Sequence, residues 1–556
     1  MKKMNFLHKT GYLYLTAVVS SIIYALLKVC TSFLQQFVID VGIQGDANRL
    51  KILSLFCVCY LIVFLILGIF NAKIQAYYKK KLVLSYKKNM LSSIMHMKYE
   101  EYAKNNSAKY ISLLTNDISI IETDFVEGRV TIVTEIIVFV VAVLSMTVYN
   151  VKLLLITIAC LIFPGLVSLF NSKKMLKITS VVSNKNSGFV KLVKDSLLGY
   201  STIKSFRAEN TIIDKINSYD KELETEKSKL KSLSLKIVVV SEFFNLFITL
   251  IVFFLGVFFV MNNEMTMGQL MAFVQLLMFA NYPLKILPQL ITKYTASKEI
   301  IRKNHIEIEN KDLKNDSDCY IGGDIEYKNV SFGYVSSANV LNDINFIFEK
   351  GKIYAIVGLS GSGKTTLTNL LQNKYDNYLG DIFIGNKNIR NIDNIYNYFS
   401  VIQQDSFVLD DTIINNITMY NNYNSLQIKD AIVKAGLNNL ISANGENYLC
   451  GENGSGLSGG EKQRISIARA LINNKEIIIL DESTSHLDAV TTNEIEKTIL
   501  QLNGTTRLYI THSLNRSFLE QCDCIVVLKN GKIQEYGSFG DLIDKKGFFY
   551  SIYTIQ

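Results

Sequence analysis

Long apolar stretches, separated by polar segments, dominate the first 300 residues of the chain. Six of them occupy residues 12–41, 53–70, 131–149, 151–170, 237–261 and 267–291. Because about 20 residues of helix cross the apolar core of a bilayer, this pattern predicts six transmembrane helices. After residue 300 the apolar runs become short.

Polar connections between the six stretches alternate between short loops and segments of about sixty residues. The long connections are rich in lysine, including Lys79, Lys80, Lys81, Lys87, Lys88, Lys173, Lys174, Lys177, Lys185, Lys191 and Lys194. Positive loops face the cytoplasm, so we expect both long connections, both termini and the following domain to be cytoplasmic. The long connections have a helical pattern, and the membrane helices are therefore predicted to project into the cytosol.

The second half of the chain has a different pattern. A polar stretch at 309–323 is predicted to be a linker between a membrane domain at 1–308 and a second domain at 324–556. In the second domain, short β-branched runs such as YAIVG and EIIIL alternate with helix-like segments, which is typical of an α/β fold.

Composition supports a membrane protein. Lys and Arg total 58 and Asp and Glu total 49, giving a net charge of +9. The basic residues cluster beside apolar stretches, which positive-inside topology explains more simply than a nucleic-acid surface. We therefore expect a lipid bilayer as a partner and no nucleic acid.

The stretch GLSGSGKT at 358–365 matches G-x-x-x-x-G-K-[ST], with a strand-like segment before it and a helix-like segment after it. In such a loop the backbone amides and the helix N-terminus point at phosphates. Lys364 would neutralise the β- and γ-phosphates, and the Thr365 hydroxyl would bind Mg²⁺. The predicted ATP-binding residues here are Gly358, Ser360, Gly361, Ser362, Gly363, Lys364, Thr365 and Thr366.

The stretch EIIILDE at 476–482 is a strand-like apolar run followed by two acidic residues. Ligands of α/β sheets bind at the carboxyl ends of the strands. Asp481 is predicted to hold Mg²⁺ through water, and Glu482 to polarise the attacking water as a general base.

A second glycine-rich stretch, LSGGEKQR at 457–464, is the signature sequence of ABC transporters. With this motif, the second domain resembles the nucleotide-binding domain of that family. The resemblance implies that the signature loop of one domain caps ATP held by the phosphate loop of another, which requires a dimer. Ser458 and Gly460 would then contact the γ-phosphate in trans.

Other motifs follow the family in order. Tyr334 in SFGY matches the aromatic residue that stacks on adenine, although a core tyrosine is the alternative. Gln404 in VIQQD matches the glutamine that reaches Mg²⁺, His512 in ITHS the histidine that contacts the γ-phosphate, and Asp488 in SHLD the loop that links the two ATP sites. The predicted fold is thus a six-helix membrane domain followed by an α/β P-loop ATPase domain of ABC type.

The membrane half resembles the exporter type of this family at 112–125, 199–210 and, before the signature, 450–453. This implies ATP-driven export by alternating access across the cell membrane, of a peptide or bacteriocin, a lipid or a hydrophobic small molecule. The partner is a second copy or a paralogous half-transporter, and an ATP-gated regulator or an importer are alternatives. Few residues precede the first apolar stretch, so we expect no leader-cleaving peptidase domain. The Lys-, Asn- and Ile-rich composition suggests a bacterial source.

Charged residues within apolar stretches are costly and mark function. Lys28 lies in the first stretch and Glu135 in the third, at similar predicted depths. We expect them either to face a central cavity and select substrate, or to form a structural ion pair between helices.

Overall fold

The computed structural model describes residues 11–105, 107–308, 322–334, 338–392, 394–404, 406–481, 489–502, 504–512 and 514–555. These residues form two compact units. The first comprises Met1–His96 with Asn106–Asn310, and the second comprises Met97–Asn105 with Lys311–Gln556.

Long helices build the first unit. They are α1 (Gly11–Gln44), α2 (Ala47–Met95), α4 (Ser107–Tyr149), α5 (Val151–Leu198), the short α6 (Tyr200–Ser205), α7 (Glu209–Met261) and α8 (Met267–Ile308), whereas α3 (Tyr99–Ala103) belongs to the second unit. Within α4, π-helical turns interrupt the α-helix at Leu113–Asp117 and Ile121–Glu127.

Five of these helices, α1, α2, α4, α7 and α8, are long and apolar enough to cross a membrane. In α5 the apolar part with described side chains is Val151–Phe163. In α2, the most apolar run of 18 residues contains no buried residue. Its apolar side chains therefore face outward, where lipid would cover them. Helices of 48 to 53 residues, such as α5 and α7, exceed the length needed to span a bilayer, and the predicted helical extensions are confirmed.

Polar side chains define helix starts and join neighbouring helices in this unit. The Asp46 carboxylate accepts a hydrogen bond from the Arg49 amide at 3.0 Å, which caps α2. Between α1 and α2, the Ser21 hydroxyl donates to the Asn71 side chain at 3.1 Å and accepts from the Gln75 side chain at 2.8 Å. These bonds satisfy groups that would be costly to bury unpaired.

The second unit contains two sheets. Its strands are β1 (Ile325–Phe332), β2 (Leu341–Phe348), β3 (Ile353–Val357), β4 (Leu379–Ile384), β5 (Lys387–Asn388), β6 (Phe399–Ile402), β7 (Ile477–Asp481), β8 (Thr506–Ile510), β9 (Cys524–Lys529) and β10 (Lys532–Gly537). One sheet has the order β2-β1-β4-β5 and is antiparallel, and the other has the order β10-β9-β3-β8-β7-β6. In the second sheet, all neighbours except the β9–β10 pair are parallel.

Helices of this unit follow the strands in α/β fashion. They are α9 (Lys364–Leu371), α10 (Ile413–Thr418), α11 (Ser425–Lys434), α12 (Asn438–Asn444), α13 (Gly459–Asn473), α14 (Ala489–Leu500), α15 (Arg516–Leu519), α16 (Phe539–Lys545) and α17 (Phe548–Ile555).

Two apolar cores hold this unit together. One lies between the two sheets and includes Tyr327, Phe348 and Ile479, and the other packs α13 and its neighbours onto the six-stranded sheet through residues such as Ile465 and Leu480. Every residue of β3 and β8 is buried, which explains the continuous apolar sequence of β3. In β8 the buried Arg507 is the exception, and its guanidinium donates to the carbonyl oxygens of Leu500 at 2.9 Å and Gly351 at 3.0 Å. The cores fix the strand ends from which the candidate site is built.

Candidate functional site

Predicted site residues converge at one edge of the six-stranded sheet. The strands β3, β8, β7 and β6 are consecutive neighbours and run parallel. The phosphate loop follows β3, His512 follows β8, Asp481 ends β7, and Gln404 follows β6. Because parallel strands end at the same edge, the topology brings these groups to one side of the sheet, where ligands of α/β folds bind.

The phosphate loop has a backbone that only glycine permits at two positions. Gly358 has φ +155°, and a Cβ there would lie 2.3 Å from the carbonyl oxygen of Leu528. Gly363 has φ +102° and forms the N-terminal cap of α9, where a Cβ would lie 2.7 Å from Leu341. Substitution at either glycine would displace the loop.

Lys364 lies across this loop. Its Nζ donates hydrogen bonds to the carbonyl oxygens of Gly358 at 2.9 Å and Leu359 at 3.1 Å, and the residue is 5% exposed. The nearby Ser362 hydroxyl is buried, with no hydrogen-bond partner among the described groups. A buried cation, an unsatisfied hydroxyl and the amides at the N-terminus of α9 fit the phosphates of a nucleotide.

Oxygen ligands suited to Mg²⁺ lie beside the loop. The Thr365 hydroxyl donates to the Asp481 carboxylate at 3.3 Å. Hydroxyl and carboxylate oxygens are preferred by Mg²⁺, so the pair fits the predicted metal position. Gln404 and His512 are exposed, and they follow β6 and β8, the two strands that flank β7.

Tyr334 is 51% exposed, so it is not a core residue. Its ring makes edge contacts with Phe332 and Tyr375, at centroid distances of 5.0 and 5.4 Å. Its hydroxyl is 3.1 Å from that of Thr366. The ring therefore contacts the protein along its edges and through its hydroxyl, while half of its surface remains available to a ligand.

The signature sequence begins helix α13. Ser458 is its N-cap in a capping box with Glu461. The Glu461 carboxylate accepts from the Ser458 amide at 2.7 Å and hydroxyl at 2.8 Å, while the Ser458 hydroxyl accepts from the Glu461 amide at 3.3 Å. Gly459 and Gly460 form the first turn, so the positive end of the helix dipole points to the surface.

Arg469 is a residue that the sequence analysis does not identify. It donates from α13 to the Phe407 carbonyl oxygen at 2.6 Å and to the Asn416 side chain at 2.7 Å. Burial lowers the pKa of this guanidinium, and the neighbouring Cys450 opposes that effect. Arg469 thus joins the signature helix to the segment after β6. In the sequence, the feature that could have indicated this role is a single arginine within the apolar run ISIARALI.

Glu482 and Asp488 lie outside the described residues. Their roles as general base and as the link between the two ATP sites therefore stay predictions from the sequence.

Within the membrane unit, Lys28 is exposed and its Nζ lies 5.4 Å from the centroid of Phe279. Glu135 is half-buried. No nitrogen–oxygen contact of 4.0 Å or less joins these two described side chains. An ion pair within the membrane unit instead joins Glu242 and Lys285, at 3.7 Å.

Both units match known protein families. A family model of the ABC transporter transmembrane region matches residues 13–284, and an ABC transporter model matches residues 341–485. The chain is 28% identical over 533 residues to the ATP-dependent lipid A-core flippase of Wigglesworthia glossinidia brevipalpis, covering 93% of this chain and 91% of that protein.

Other relatives extend this similarity. Identity is 30% with the uncharacterized ABC transporter ATP-binding protein YwjA of Bacillus subtilis, covering 84% of this chain and 83% of that one. Identity is also 30% with the Lactococcin-G-processing and transport ATP-binding protein LagD of Lactococcus lactis, and the match covers 84% of this chain and 67% of that protein. The fold matches that of a bacterial Atm1-family ABC exporter with ATP bound, with a TM-score of 0.85 and 21% sequence identity. The match covers 99% of this chain and 98% of that chain.

Proposed function

Because the chain belongs to the ABC transporter family, we propose that it is a half-transporter that forms a homodimeric, Mg²⁺-dependent exporter. Its first unit is the membrane-spanning region of that family, and its second unit is the ATP-binding domain that hydrolyses ATP to drive transport. The lysine-rich connections support a cytoplasmic position for the ATP-binding domain.

The homodimer is proposed because one chain contains both parts of an ATP site, the phosphate loop and the signature sequence. The phosphate loop lies at the sheet edge, where Lys364 and the N-terminus of α9 bind phosphates. Among the described residues, the side-chain hydrogen bonds of Ser458 go to Glu461 of its own helix, and Ser458 and Gly459 at the start of α13 are exposed. A γ-phosphate held by a second copy suits that end, because helix N-termini attract anions.

Each site residue has a defined task in hydrolysis. Thr365, Asp481 and Gln404 would hold Mg²⁺, which neutralises charge on the phosphates when bound. Glu482 orients and polarises the attacking water, and His512 donates to the γ-phosphate. Residues around the loop, from Gly358 to Thr366, position the phosphates, and Asp488 links the two sites.

The transported substrate is proposed to be amphiphilic. Relatives are named for lipid A-core and for lactococcin G. Polar contacts between membrane helices also support this class, because the Gln275 side chain donates to Thr31 at 3.1 Å and the Asn281 side chain donates to Asn245. We propose that Lys28 and Glu135 line the cavity and bind the polar part of the substrate. An unchanged substrate preference in Lys28→Ala would overturn that role.

A mixing experiment tests the shared sites directly. The full chain is reconstituted in lipid nanodiscs as Lys364→Ala, as Ser458→Arg, and as a refolded one-to-one mixture, with Glu482→Gln as the inactive control. Each single variant should lack ATPase activity, since both of its sites are defective. The mixture should regain about a quarter of the wild-type rate, because half of the dimers would then carry one intact site.

Continued inactivity of the mixture, beside an active wild type, would overturn sharing of sites between copies. An inactive wild type would overturn the homodimer and point to a paralogous partner. Stimulation by lipids, peptides or hydrophobic drugs would then be compared to identify the substrate class.

A further inference from the structure

Three consecutive residues after α9 contact the start of the short helix α3, within the second unit. The Asp376 carboxylate accepts from Lys98 Nζ at 2.8 Å, the Tyr375 ring meets the edge of Tyr99 at a centroid distance of 6.2 Å, and Lys374 Nζ lies 5.2 Å from the centroid of Tyr99. In the chain, α3 lies between the long helices α2 and α4 of the membrane unit.

Tyr375 also contacts the proposed adenine site. Its ring lies 5.4 Å from Tyr334 at an interplanar angle of 84°, and 5.4 Å from Phe332. Tyr334, Tyr375 and Tyr99 therefore form a continuous row of rings, with edge contacts at both junctions. Because edge contacts depend on ring orientation, fixing the first ring restricts the second and third.

Lys374 provides a second connection, to helix α9. It follows α9, the helix that begins at the phosphate loop, and its Nζ donates to the Asn369 side chain at 2.8 Å. Burial lowers the pKa of Lys374, while the negative charge of Asp481 opposes that effect. The segment that contacts Tyr334 and Tyr99 is thus also bonded to α9, the helix that begins at the phosphate loop.

We propose that Tyr375 is a positioning residue that makes the engagement of α3 depend on the nucleotide base. An adenine stacked on the free surface of Tyr334 orders the row Tyr334–Tyr375–Tyr99 and holds α3 in one position. A nucleotide that stacks poorly is hydrolysed without moving the membrane helices to the same extent. This inference rests on the proposed function, since it needs adenine at Tyr334.

The ion pair between Lys98 and Asp376 does not provide this dependence. Its side chains are 69% and 47% exposed, so water and salt screen it. Among the described residues, no hydrogen bond or ion pair joins Lys98 or Asp376 to Tyr334. Asp376→Asn is therefore the matched control, because it removes the ion pair and leaves the row of rings.

The test uses the full chain in nanodiscs with ATP or UTP and vanadate. Deuterium uptake is measured in peptides of α2 and α4 under these conditions, and kcat and KM are measured separately without vanadate. In the wild type and in Asp376→Asn, ATP should change this uptake more than UTP does. Tyr375→Leu should lose the ATP-specific change and raise KM, and Tyr375→Phe should restore both, because it keeps the ring.

Tyr99→Leu tests the other end of the row if Tyr375→Leu fails to fold. Tyr99 is 44% exposed and lies outside the ATP site, so hydrolysis should stay within about twofold of the wild-type rate. The ATP-specific change in uptake should nevertheless be lost. Equal responses to ATP and UTP in the wild type, or an unaltered ATP response in Tyr99→Leu, would overturn the inference. In either case Glu482-dependent hydrolysis could persist, which separates this result from failure of the proposed function.

Discussion

The exposed ring of Tyr334 allows a quantitative prediction for ATP binding. Contacts with Phe332 and Tyr375 hold the ring, and its hydroxyl lies 3.1 Å from that of Thr366. Tyr334→Ala removes the stacking surface, whereas Tyr334→Phe keeps the surface and removes only the hydrogen bond. The two substitutions therefore separate stacking from hydrogen bonding.

Stacking of a base on an aromatic side chain contributes about 1–3 kcal/mol to binding, as measured by alanine substitution. Tyr334→Ala should therefore raise the Kd for ATP about 5- to 150-fold. A neutral hydrogen bond contributes about 0.5–1.5 kcal/mol. Tyr334→Phe should accordingly raise the Kd by about tenfold or less.

Binding is measured by calorimetry on the full chain in nanodiscs, with Glu482→Gln present to prevent hydrolysis. Tripolyphosphate is the control ligand, because it has phosphates but no base and should bind both Tyr334 variants equally. An unchanged Kd for ATP in Tyr334→Ala would refute the assignment of Tyr334 to adenine. Equal losses for ATP and tripolyphosphate would refute it as well, since a distorted phosphate loop would then explain the effect.

Three further outcomes follow from the geometry of the second unit. Thr365→Val should lower Mg²⁺-dependent ATPase activity at least about tenfold and Thr365→Ser should preserve it, as a coupled-enzyme assay would show. Gly358→Ala should destabilise the protein by about 1–3 kcal/mol, because the added Cβ would lie 2.3 Å from the Leu528 carbonyl oxygen, and thermal unfolding followed by circular dichroism measures this. Burial raises the pKa of Glu496, so its favourable contribution is complete below the unfolded pKa of about 4.3 and is lost as pH rises through the folded pKa. Glu496→Gln should flatten the dependence of Tm on pH in that range, and identical profiles would contradict the burial argument.

Local sequence determined the features that could be predicted. Apolar runs specify membrane helices because the bilayer requires them, and the comparisons confirm a helical membrane domain followed by an ABC-type α/β domain. Among the described residues, five of the six predicted helices are long and apolar enough to span a membrane. The phosphate loop was predictable because its backbone needs glycines such as Gly358 and Gly363 at fixed spacing between a strand and a helix. The exposure that distinguishes Tyr334 from a core tyrosine has no such local signal, since it depends on packing by β1 and by the residues after α9.

Contacts between distant segments could not be predicted. Lys98 and Asp376 are 278 positions apart, and no periodicity connects them. The sequence divides the chain into successive domains, yet Met97–Asn105 packs with the second unit. Arg469 shows the same limit, because its carbonyl partner in Phe407 is a backbone atom that any residue could supply. The Arg469 side chain has a specific role, but a backbone carbonyl partner cannot be identified from the sequence.

The capping box of α13 restricts how a second copy could use this helix. Ser458 already gives its amide and hydroxyl hydrogens to the Glu461 carboxylate. A γ-phosphate at this end must therefore either bind the amides of Gly459 and Gly460 or displace Glu461. Both phosphate and carboxylate are negative, so close approach favours displacement of Glu461 towards solvent. The capping box would then hold the start of the helix in place while the ATP site is open and would release its donors as the two copies close.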